Sequence, residues 1–120
     1  MRTTLGILAL LGALPLAAHH SWNAKYDENA KISFQGKITK VEWMNPHALV
    51  WVDVKDATGK ATTWQVELSP PNTLKRSGLT KEMLKDGDPI TVAGWLSKDT
   101  PNVAAGGTLT LAHGQVVLQH

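Results

Sequence analysis

The chain has no cysteine, which excludes disulfides and thiolate metal sites and leaves its stability to packing. Beyond the first eighteen residues it lacks any apolar run long enough to span a bilayer, so no stable membrane insertion is expected after their removal. Neither sign of charge dominates, with 12 Lys and Arg against 10 Asp and Glu. So even a balance lacks the basic footprint of nucleic-acid binding, and no nucleic-acid partner is expected. Nucleophile elbows, phosphate loops and paired-cysteine motifs are also missing. Acid–base catalysis has no readable residues, and the expectation is a binding protein, not an enzyme. At 120 residues there is room for one domain.

What is present begins with a secretory pattern over residues 1–18: Arg2, an apolar run from Leu5 to Leu14, and a cleavage region from Pro15 to Ala18. A cut after Ala18 makes His19 the mature N-terminus, although Leu16 stands where a small residue is preferred. Losing Arg2 leaves 11 basic and 10 acidic side chains. The expected address is periplasmic or secreted. Residues 19–30 show neither helical nor strand periodicity and read as an arm laid on a β-domain spanning 31–120.

The stretch from Lys37 to Asp56 organises that domain. β-Branched and aromatic residues run on both sides of Asn45-Pro46-His47, which predicts two strands joined at a type I turn with His47 at its tip. Ile32, Phe34 and Ile38 keep one alternation phase while Val41 and Trp43 keep the other, so a bulge falls near Thr39 or Lys40. Ala61 to Leu68 alternates cleanly, with Thr62, Trp64, Val66 and Leu68 toward the core. Ser69-Pro70-Pro71 ends the sheet. A short helix follows to Ser77 and Gly78, and Thr80 caps another helical turn. A fourth strand spans Ile90 to Ser97, Lys98 to Gly107 reads as a loop, and a hairpin around His113-Gly114 closes the chain. This order predicts an all-β fold: a small OB-like Greek-key barrel of five to six strands, with a helical connection between strands three and four.

Several motifs together resemble a family of small exported bacterial proteins known only as a domain of unknown function. They are His19-His20-Ser21, Tyr26-Asp27, Val41-Glu42-Trp43 with Asn45-Pro46-His47, Val52-Asp53-Val54, Trp64 with Val66-Glu67, Pro71-Asn72, Leu74 with Arg76 and Gly78, and Gly87-Asp88 leading to Thr91-Val92 and Gly94. The resemblance spans nearly the whole mature domain and implies no activity. At the last turn this chain has His113-Gly114 where the family pattern has Asp-Gly, so His113 is not read as part of a shared site.

Two site readings follow. A freed terminal amine and the imidazoles of His19, His20 and His47 offer a nitrogen set that suits copper in tetragonal geometry, or another divalent metal. The plainer reading makes His19 and His20 a solvated arm and His47 a turn-stabilising ring. An arm of about a dozen residues reaches at most roughly 40 Å, so it must run back along the barrel to meet His47. The alternative is a metal-free module that holds a small polar ligand, a glycan or a partner protein on a tryptophan-bearing face, with Trp43, Trp51, Asn45, Glu67 and Arg76 as contacts. Glu67 and Arg76 read first as a structural ion pair that positions the helix, and second as contacts to a polar ligand. An oxidative enzyme built on a histidine brace is a third reading, but the brace alone fixes no substrate.

Overall fold

The computed structural model of the protein describes residues 21–118; the expected signal segment and cleavage site, His19, His20 and His120 lie outside them. Six strands form one sheet: β1 (Tyr26–Glu42), β2 (Leu49–Lys55), β3 (Ala61–Glu67), β4 (Pro89–Ser97), β5 (Val103–Thr110) and β6 (Val116–Leu118). Residues 21–25 are helical (α1), and α2 (Pro71–Arg76) with a 3-10 turn at Lys81–Met83 connects β3 to β4. The sheet order is β3-β2-β1-β4-β5-β6, and a parallel pairing of β3 with β5 closes it into a barrel. The fold is the expected OB-like barrel.

The residues that close it were legible by alternation. Val50, Val52, Val66 and Val92 point inward and are buried, with Ile38, Leu68, Leu109 and Val117 around them. Leu74 from α2 and Leu79 join this core, each wholly buried. Burying an aliphatic side chain of this size contributes roughly 1.5–3 kcal/mol. The β1–β2 register shifts between Ile38 and Lys40, the bulge that the phase change predicts. Trp64, half-buried, packs on Phe34 with ring centroids 5.0 Å apart, and Phe34 in turn packs against the core.

Three local expectations change. The Asn45–Pro46 bond is cis, so the corner carrying His47 is not the type I turn. The segment assigned to an arm divides: α1 takes residues 21–25, and β1 starts at Tyr26. Its periodicity was hidden because the β1–β4 pairing breaks between Tyr26 and Lys31, where Asn29 N donates to Asp27 Oδ1 within a polar stretch. The loop after β4 is also shorter than Lys98 to Gly107, since β5 begins at Val103. Ala104 and Ala105 are buried there, and small residues that read as loop composition are required by close packing.

Candidate functional site

The register brings one outward-facing row of residues together from strands distant in sequence. Lys31 on β1 pairs with Trp95 on β4, Trp95 with Ala105 on β5, and Ala105 with Glu67 on β3. Neighbouring strands lie about 4.8 Å apart, so the small Ala105 leaves a gap between the Trp95 ring and the Glu67 carboxylate. Tyr26, the first residue of β1, pairs with Ser97, and Lys98 N donates to Lys25 O at 3.0 Å, which fixes the end of α1 beside this gap. Trp22 then meets Trp95 edge-on, centroids 5.4 Å apart and planes at 85°. A cleft of about 410 Å³ results, lined by Trp22, Glu28, His47, Glu67, Pro70 and Trp95 among others.

Glu67 is the electrostatic centre. Its side chain is 14% exposed; Oε1 accepts from Lys25 Nζ at 2.6 Å, and Oε2 lies 4.0 Å from His47 Nδ1. The His47 side chain, 48% exposed, reaches the cleft from the β1–β2 corner. Below Glu67, Tyr26 is 1% exposed. Burial, then the Glu67 charge and the approach of its carboxylate to the hydroxyl, push the Tyr26 phenol well above its ordinary range. The cleft therefore combines an imidazole, two carboxylates and two indoles, a donor set that favours cations. Among the described residues no group of three or more His, Asp or Glu is spaced to hold a metal ion. His47 and Glu67 are two such groups side by side, fewer than a metal site requires.

Of the residues singled out in the sequence, the structure joins only His47 and Glu67 in this cleft. Arg76 is not the partner of Glu67: its Nη2 donates to Thr73 Oγ1 at 3.4 Å within α2, and Lys25 takes the carboxylate. Trp43 is partly buried against the core. Trp51 lies on the outer face of β2, with Lys40 Nζ 4.6 Å from its ring centroid. Asn45 is exposed on the corner and does not line the cleft. Sequence reading missed Lys25, Glu28 and the central place of Trp95; only the cross-strand row reveals them.

A family model matches residues 8–107. The chain belongs to this family of unknown function, DUF6152. The expected membership in a domain-of-unknown-function family therefore holds. No curated protein matches the chain. Among solved structures, this DUF6152 chain is similar to a mitochondrial single-stranded DNA binding protein from S. cerevisiae, Rim1, at 11% identity and a TM-score of 0.52. The match covers 68% of this chain and 92% of that one, and it supports the OB-like fold. It also overturns the expectation of no nucleic-acid partner, since the similar structure is that of a single-stranded DNA binding protein. Among the described residues no helix is long and apolar enough to cross a membrane.

Proposed function

We propose that this DUF6152 chain is an exported carrier that holds a copper-type divalent ion between its mature N-terminus and the His47–Glu67 cleft. One observation carries the reading: Trp22 lines the same cleft as His47 and Glu67, and His20 precedes Trp22 by only two residues in the sequence. The Trp22–Trp95 contact supports the reading because it holds the chain close after His20 at the cleft that His47 lines. The terminal amine and the imidazoles of His19 and His20 supply nitrogen donors, His47 adds an imidazole, and Glu67 adds an anionic oxygen. The role is sequestration or delivery, without turnover, in the periplasm or outside the cell.

Intact-mass measurement of the secreted protein, followed by Cu(II) titration of wild type, His19→Ala and His47→Ala, tests this. The expected result is a start at His19 and an affinity lowered at least about tenfold in each variant, as for loss of one metal ligand or its support. A different N-terminus, or unchanged affinity in His19→Ala, rejects the terminal site.

A second reading rests on Trp51. Its ring on the outer face of β2, beside the Lys40 ammonium, is a stacking platform with a cation at hand. A flat ligand, either a glycan or the single-stranded DNA named for the yeast protein of similar fold, would stack there. Titration with labelled oligothymidylate and with maltotriose, repeated on Trp51→Ala, tests it: binding lost in that variant supports this reading, and no binding by wild type rejects it.

A further inference from the structure

Trp95 also walls a second cleft, on the outer face of β1, β4 and β5, away from His47 and Glu67. Lys31, Ser33, Ala93, Gly94, Trp95 and Thr108 line it with Gly107, and its volume of about 470 Å³ falls within the roughly 300–1,000 Å³ of small-molecule sites. The absence of a side chain at Gly107 is what lets Trp95 take its place beside this cleft. At Gly107 a Cβ would lie 2.7 and 2.9 Å from the Trp95 ring carbons Cζ3 and Cη2. The indole therefore rests directly on the sheet, held from another side by Trp22. It is an aromatic wall already fixed in place, and a ligand does not have to order it.

The polar groups are arranged along the same register. Ser33 and Thr108 flank Ala93 in one row, and Lys31 pairs with Trp95 in the next. Among the described residues neither hydroxyl nor the Lys31 ammonium is engaged by a hydrogen bond or an ion pair. Among the described residues that line the cleft there is no carboxylate, and Lys31 is the one formal charge.

We propose that this cleft binds an acidic saccharide, a uronic acid unit whose C–H face stacks on the Trp95 indole. Its hydroxyls exchange hydrogen bonds with Ser33 and Thr108, and its carboxylate meets Lys31. A sugar ring is the occupant that uses all three features: an apolar face, a hydroxylated rim and one negative charge.

The test is titration of metal-free protein, kept in chelator, with trigalacturonic acid, maltotriose and oligothymidylate, followed by amide chemical shifts and calorimetry. Trigalacturonic acid is expected to bind most tightly and to shift Ser33, Gly94, Gly107 and Thr108. Lys31→Gln, an exposed position, is expected to weaken it by about tenfold and to remove the preference over maltotriose. Gly107→Ala, which pushes the ring from its seat, is expected to abolish binding, and His47→Ala to leave it unchanged. The proposal is overturned if trigalacturonic acid shifts none of these amides, if oligothymidylate binds more tightly, or if Lys31→Gln binds as wild type does. Since no copper is present, these outcomes are separate from those of the metal reading.

Discussion

Lys25 Nζ lies 2.6 Å from Glu67 Oε1 across 42 positions of sequence, so the carboxylate at the centre of the first cleft already holds a cation supplied by the chain. A copper ion bound as proposed would compete with that ammonium. Lys25→Met is expected to tighten Cu(II) binding while lowering stability by no more than about 1 kcal/mol, because the lysine end of the pair is half exposed. Urea unfolding and Cu(II) titration of the same variant measure both. Weaker copper binding in Lys25→Met would count against Glu67 as a ligand.

Tyr26 is the only tyrosine in the chain, so phenolate absorbance reports it alone. Burial and the Glu67 charge raise its titration above the ordinary value of about 10. The folded state therefore keeps its proton where the unfolded state loses it. Stability from this group is complete below about pH 10 and falls as pH rises toward the folded value. The expected outcome is an absorbance transition in wild type displaced upward, coincident with alkaline unfolding. In Tyr26→Phe this part of the alkaline loss is expected to disappear. A phenolate transition near 10 in the folded protein would remove the assignment.

Asp56 closes the β2–β3 turn. Its Oδ1 accepts from the Thr58 hydroxyl at 2.6 Å, from Thr58 N at 2.8 Å and from Lys60 N at 3.0 Å. The Thr58 hydroxyl first, then the backbone donors, hold this carboxyl below its usual range. Its contribution is present above the unfolded value and is lost as pH falls through the folded one. Thr58→Val is expected to move the Asp56 carboxyl titration upward, read by carbon NMR of the side chain. An unmoved titration would mean that the hydroxyl bond does not persist in solution.

Gly94 sits where β4 crosses β5 so closely that a Cβ would stand 1.8 Å from Ala105 O. Backbone atoms cannot swing aside as a side-chain end does. Gly94→Ala is expected to destabilise by about 1–3 kcal/mol or more. Ala93→Ser, at the partly exposed neighbouring position, is expected to stay within about 0.5 kcal/mol. Thermal melts of the two variants check the contrast, and equal midpoints would contradict it.

The barrel was readable because burial on one side of a strand leaves a period of two in the sequence. Val50, Val52 and Val66 carry that signal, and the phase change between Ile38 and Val41 marks the bulge seen in the register. The site was readable only in part. His47 and Glu67 stood out as exposed functional groups, but Glu67 was paired with Arg76 on sequence grounds, whereas α2 keeps Arg76 on its own Thr73. Composition also misled where Ala104 to Gly107 read as a loop, since small residues serve tight strand crossings as well as turns.

The sequence by itself determined the central part of most strands, where the helical connection falls and which side of those strands is apolar, because these follow from local periodicity and turn chemistry; the start of β1 and of β5, polar in one case and built of small residues in the other, carried no such signal. Only the tertiary structure decided that Lys31, Trp95, Ala105 and Glu67 share one row and that Trp22 folds onto it. Cross-strand register and barrel closure bring together residues that no short-range pattern connects, and both clefts are made from those meetings.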